Sequence, residues 1–178
     1  LLLGVLMTLA ATPVQAQEVI DSRREYNVKA VSLYAFGRYV TWPPASFESE
    51  TSEFRIGVYG PDPFGETLDR IAQKKKIQER PIRVWEVKTP EEGASCHILF
   101  VTRATPPEVE ARLIAALEGK SVLLVGETPG FAERGGAINF FVHGSNVRFE
   151  LNADRAMANR LSLNAKMHSL GTPVSTNR

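Results

Sequence analysis

Apolar and polar positions along the chain change period repeatedly, and each change marks an element. Residues 25–42 lack proline and, apart from Gly37, glycine. Val28, Val31 and Ala35 fall on one helical face with Leu33, Phe36 and Val40 beside them, which predicts an apolar helix ended by Pro43-Pro44. A polar connector follows over residues 45–53. Phe54-Arg55-Ile56-Gly57-Val58-Tyr59 predicts a strand, and Asp62 as N-cap with Pro63 at the first helical position predicts a helix to about Lys76. Residues 81–87 alternate and predict a second strand. Cys96-His97-Ile98-Leu99-Phe100-Val101 is apolar almost throughout, as suits a central strand covered on both faces. A helix is expected over 106–118, with Val109, Leu113 and Leu117 on one side, and a buried strand over 121–125.

The C-terminal third reads as a glycine turn, a strand, a loop and a partner strand. With His143-Gly144-Ser145-Asn146 as the loop, Val142 faces Val147, Phe140 faces Phe149 and Ile138 faces Leu151, all on one side of the hairpin. The other side carries Ala137, Asn139 and Phe141 against Asn152, Glu150 and Arg148. A last helix is expected over 153–170, capped by Asn152, with Met157, Leu161, Leu163, Ala165, Met167 and Leu170 on its apolar side and Gly171 and Pro173 ending it. This order predicts an α/β fold: a three-layer sandwich with a mainly parallel, Rossmann-like sheet extended by a C-terminal antiparallel hairpin.

The first residues change the picture of where the protein works. Leu1-Leu2-Leu3-Gly4-Val5-Leu6-Met7-Thr8-Leu9-Ala10-Ala11 is apolar and uncharged, and Val14 and Ala16 are small. The expectation is a signal peptide over 1–16, shortened at its start and cut after Ala16, followed by one domain over 17–178. The run is too short for a membrane span, which needs about 20 apolar residues. A net charge of +1 gives no long-range attraction to nucleic acid or to an anionic membrane. The basic run Lys74-Lys75-Lys76 falls at a predicted helix end, where cations complement the dipole.

Candidate chemistry is sparse. Cys96 is the single cysteine, so no internal disulfide can form. Adjacent residues of a strand point to opposite faces, so Cys96 and His97 are not expected to act as a nucleophile and base. His97, His143 and His168 lack the spacing of zinc ligands. Gly57-Val58-Tyr59-Gly60-Pro61-Asp62-Pro63-Phe64-Gly65 departs from the dinucleotide fingerprint, and Glu91-Glu92 reads as a solvated pair. No catalytic, cofactor or metal residue is therefore assigned. Ligands of open α/β sheets gather at the carboxyl ends of parallel strands. Those ends offer Gly60, Asp62, Thr102, Arg103 and Glu127 as a candidate small-ligand pocket.

Several segments in order resemble the YfiR-like periplasmic protein family: Lys29-Ala30-Val31-Ser32-Leu33-Tyr34-Ala35-Phe36-Gly37-Arg38-Tyr39-Val40-Thr41-Trp42-Pro43, Gly57-Val58-Tyr59-Gly60 with Asp62-Pro63-Phe64-Gly65, Cys96-His97-Ile98-Leu99-Phe100, Gly130-Phe131-Ala132, Gly135-Gly136-Ala137-Ile138-Asn139-Phe140 and Val147-Arg148-Phe149-Glu150-Leu151-Asn152. The resemblance implies an exported α/β protein that represses a membrane diguanylate cyclase through its periplasmic sensor domain, and so restrains cyclic-di-GMP production and biofilm formation. The best-known member relies on disulfides, which a chain with one cysteine does not share.

The resulting expectation is a periplasmic regulatory binding protein, not an enzyme. It would act on an inner-membrane signalling protein, a diguanylate cyclase or a sensor kinase. Asn139, Phe141 and Arg148 are its candidate partner contacts. A second copy of the chain is the other partner considered; nucleic acid and insertion into the membrane are not expected. The alternative is a periplasmic carrier or sensor of a small ligand.

Overall fold

The computed structural model describes residues 13–176; the apolar opening run, residues 1–12, lies outside them. Helix α1 (Pro13–Tyr39) leads into β1 (Val40–Thr41) and a short 3-10 turn, Pro44–Ser46. Then come β2 (Phe54–Tyr59), α2 (Glu66–Lys74), β3 (Lys76–Ile77), β4 (Arg80–Val87), α3 (Pro90–Gly93), β5 (Ile98–Val101), α4 (Pro107–Ala116) and β6 (Leu123–Gly126). The hairpin β7 (Ile138–His143) and β8 (Asn146–Leu151) is followed by α5 (Ala153–Ala158), β9 (Ser162–Leu163), α6 (Ala165–Leu170) and β10 (Thr172–Pro173).

The chain is α/β, built on a mixed eight-stranded sheet of order β10-β8-β7-β6-β5-β2-β4-β3. The pairs β4–β2, β2–β5, β5–β6, β6–β7 and β8–β10 are parallel; β3–β4 and β7–β8 are antiparallel. The expected mainly parallel sheet with the hairpin at its edge is thus met in part. The hairpin is not the edge, because β10 pairs beyond it, and a two-residue antiparallel strand closes the opposite side. The hairpin register follows the expected pairs, Ile138 with Leu151 through Val142 with Val147. His143 also pairs with Asn146, so the loop is only Gly144-Ser145. The tip extends past the core, leaving Val142 52% exposed.

Two cores flank the sheet. On one side α1, α2, α5 and α6 pack Leu33, Phe36, Leu68, Ala156 and Met167 on Phe54, Ile56, Phe100, Val125 and Phe140. On the other, Leu113 and Ile114 of α4 and Leu117 just past its end meet Leu99, Val101 and Leu124, with Cys96 and Phe131. Cys96 is buried, and burial pushes its thiol up to about 12.

Three element expectations are corrected. The buried stripe of α1 is Lys29, Ala30, Leu33 and Phe36, whereas Val28 and Val31 face outward. Helix α2 starts at Glu66 rather than Pro63, since the Asp62 carboxylate turns back to accept from the Phe64 amide at 2.8 Å. It also ends at Lys74, and Lys76 opens β3. The last helix is broken at Arg160, whose φ of +60° is incompatible with a right-handed helix. The break is held by buried Asn159, which accepts from the Gly119 amide at 3.0 Å and donates to the Val122 carbonyl at 3.0 Å. Asn152 caps α5 as expected, and Met157 and Leu170 are exposed instead of apolar-face residues.

His97 precedes β5 and its ring stacks between Phe47 and Phe54, at centroid distances of 4.4 and 4.8 Å. Its Nδ1 accepts the Arg55 amide at 2.9 Å, so the proton sits on Nε2, which donates to the Ser46 carbonyl at 3.0 Å. Burial, with Arg55 and Arg80 nearby, lowers its pKa to about 4 despite the Ser46 bond. The folded state then binds fewer protons than the unfolded chain, where histidine titrates at about 6.5. His97 should therefore cost no stability above that value and should progressively destabilise the fold as pH falls toward 4. Denaturant midpoints measured across this window should fall with pH, and His97→Gln should flatten the slope; an unchanged slope would show that other groups set it.

Candidate functional site

The carboxyl ends of β5 and β6 meet the middle of α1 over a cleft of about 670 Å³. Each wall has a local cause. The stripe that turns α1 onto the sheet places Lys29 against the ends of the strands. The connection from β6 to β7 is built of turns instead of a helix, so it leaves one side of the hairpin uncovered by a helix. Those turns are fastened to α4 by buried Glu110, which accepts from Thr128 Oγ1 and from the Arg134 guanidinium, each at 2.7 Å.

The cleft floor is an ionic cluster. Lys29 is 1% exposed and its ammonium donates to Glu127 at 2.5 Å and to Glu25. Arg103 reaches the same two carboxylates, Glu127 at 3.1 Å, and its backbone amide donates to Glu127 Oε1 at 2.8 Å. The Tyr26 hydroxyl donates to Glu127 at 3.2 Å, and its ring lies under both cations, 4.7 Å from Lys29 Nζ and 5.4 Å from Arg103 Cζ. Burial alone would raise the Glu127 pKa. The Lys29 charge and the bonds from Lys29 and Arg103 outweigh it and hold the carboxyl below its ordinary value. Burial and the adjacent Glu127 push the Tyr26 phenol well above its own. Two cations balancing two carboxylates in this way satisfies groups that would be costly to bury singly.

The predicted pocket residues divide into two places. Arg103 and Glu127 come together in the cluster. Gly60 and Thr102 pack against each other where the strand order reverses between β2 and β5; a Cβ at Gly60 would stand 2.3 Å from Thr102 Oγ1. The hydroxyls of Thr102 and Thr105 there are buried without a hydrogen-bond partner. Asp62 serves its own loop.

The predicted partner contacts share one face of the hairpin, with Phe141 opposite Arg148, but differ in exposure. Arg148 is exposed and Phe141 is half-buried at the cleft wall. Asn139 is 2% exposed and gives its amide to Glu150 at 2.9 Å, so it belongs to the cleft and not to an outer surface. Sequence reasoning missed Glu25, Tyr26 and Lys29. The signal was present: Tyr26, Lys29, Leu33, Phe36 and Val40 follow the three-to-four spacing of a buried face, with a lysine in the stripe.

Among the described residues, no helix is long and apolar enough to cross a membrane, and no three His, Cys, Asp or Glu side chains gather as a metal site. Residues 26–172 match the profile of the family described as YfiR/HmsC-like. No curated protein matches the chain.

Proposed function

The chain belongs to the YfiR/HmsC-like family, and from that membership we propose that it is an exported periplasmic regulator that binds the sensor region of an inner-membrane signalling enzyme. The observation that carries the reading is the extent of the match, which takes in every strand from β1 to β9 and all the cleft residues but Glu25. A diguanylate cyclase is the favoured enzyme and a sensor kinase the other. In physical terms, the regulator binds one conformation of the sensor more tightly and shifts the population toward it. A tenfold shift needs a difference of about 1.4 kcal/mol in affinity between the two conformations.

The surface that suits this role is the projecting hairpin tip with the adjoining flank of α1. Val142 is 52% exposed, Val28 41% and Val31 56%, with exposed Arg24 beside Val28 and Val142, whereas Arg148 is exposed on the opposite face of the hairpin. Apolar side chains next to a charged rim are the usual make-up of a protein contact. The purified protein should retain the periplasmic domain of a membrane cyclase encoded beside it at micromolar concentration. Val142→Asp should weaken that retention by about tenfold or more, as expected when an interface anchor is lost. Failure of the wild-type protein to retain such a domain would remove the proposal.

A second reading, a carrier or sensor of a small molecule, is favoured by the cleft itself, whose volume lies within the range of small-molecule sites, roughly 300–1,000 Å³.

A further inference from the structure

The cleft contains one buried polar atom that the fold leaves without a partner. Asn139 Oδ1 is shielded from solvent and accepts no hydrogen bond, while the Nδ2 of the same amide is committed to Glu150 Oε2 at 2.9 Å. A carboxylate only accepts, so this contact fixes the amide orientation: nitrogen to Glu150 and oxygen free. An unpaired buried carbonyl is costly, and what it lacks is a donor.

The charges around it define the donor. Glu25, Glu127 and Glu150 line the cleft with Lys29 and Arg103, three carboxylates against two cations. Lys29 and Arg103 are both engaged by Glu25 and Glu127. Glu150 makes no ion pair among the described residues, and its known contact is the neutral Asn139 amide. Arg148 lies two residues away on the same strand, exposed and unpaired among the described residues. Phe141, two residues along the same face of β7, puts an aromatic ring beside Asn139. A free amide oxygen, a carboxylate without a cation and an aromatic ring together suit a positively charged N–H donor, because each accepts or attracts one.

We propose that the cleft between α1 and the hairpin binds a small organic ammonium compound, its charged nitrogen shared between Asn139 Oδ1 and the Glu150 carboxylate and its carbon chain against Phe141. This goes beyond the regulatory reading and stands apart from it, since it requires no membrane partner.

The test is a titration of the isotopically labelled protein with n-butylammonium, benzylammonium and 1,4-diammoniobutane, followed by amide NMR, with the matching alcohols as neutral controls. At least one ammonium ion should move the Asn139 side-chain amide and the Phe141 backbone resonances saturably in the millimolar range, and the alcohols should not. Glu150→Gln keeps the acceptor for Asn139 and removes the charge; it should weaken the response by about tenfold, as loss of a charge-assisted bond does. The variant's own spectrum reports whether it is folded. The proposal is overturned if no ammonium ion saturates, if the alcohols bind equally, or if a folded Glu150→Gln protein binds as the original does.

Discussion

Replacing Lys29 with methionine is expected to lower the melting temperature by roughly 10 °C, through loss of about 3–5 kcal/mol, the usual cost of stranding a buried charge. The size follows from what remains. Glu127, whose side chain is fully buried, would keep only the half-exposed Arg103 as a counterion, and Glu25 would lose its partner one turn along α1. The acid limb gives an independent check. A carboxylate whose folded pKa is depressed adds stability that is present above its unfolded value, about 4.3, and is lost as pH falls through the folded one. Without Lys29 that depression shrinks, so acid unfolding should begin at higher pH. Glu127→Gln added to Lys29→Met should recover part of the loss, because a glutamine carbonyl can still accept from the Arg103 amide and from Tyr26. Thermal unfolding of the original and the two variants decides the matter. A Lys29→Met protein as stable as the original would mean that the cluster adds nothing to the fold.

Phe131→Ala should cost a similar amount, about 3–5 kcal/mol, for a different reason. The ring is fully buried in the core formed with α4, and it lies flat against two glycines. A Cβ at Gly126 would stand 2.4 Å from the ring and one at Gly136 2.3 Å, so the chain before and after the turn closes directly on Phe131. Truncation leaves a ring-sized cavity that rigid backbone on two sides cannot collapse into. The same closeness predicts that Gly136→Ala is destabilising, because overpacking of this kind costs about 1–3 kcal/mol. Since the turns that follow β6 form one cleft wall, Phe131→Ala should also broaden the Asn139 and Phe141 resonances. Denaturant melts measure the first effect and amide spectra the second; a change within about 0.5 kcal/mol, as for an ordinary surface substitution, would refute the packing argument.

The main elements were legible because their patterns are local. The apolar run from Ile98 to Val101 is buried at every position, and the alternation around the hairpin fixed its register residue by residue. The errors arose where tertiary partners outweigh pattern. The reading of α1 followed valines and so turned the helix by part of a turn, because Lys29 counts as polar until its two carboxylates are brought to it from 98 and four residues away. The continuous last helix failed at Arg160, where buried Asn159 finds better bonds in the turn after α4 than in its own helix. The strands β1, β3, β9 and β10 have two residues each, too few for any period to register. Of the candidate site, the strand-end rule brought Arg103 and Glu127 together, but it could not supply the helix that completes the cleft.

The aromatic packing around His97 gives the molecule an optical signal of its own. Trp42, one of two tryptophans, is buried with its indole N–H donated to the His97 carbonyl at 3.1 Å and its ring edge-on to the imidazole at 6.2 Å. Emission from Trp42 thus originates beside the titrating ring, whereas Trp85 is half-buried on the β4 side of the sheet, next to Arg83. Acid loss of the structure can be followed by intrinsic fluorescence without a dye, and Trp85→Phe would leave Trp42, beside the imidazole, as the single tryptophan.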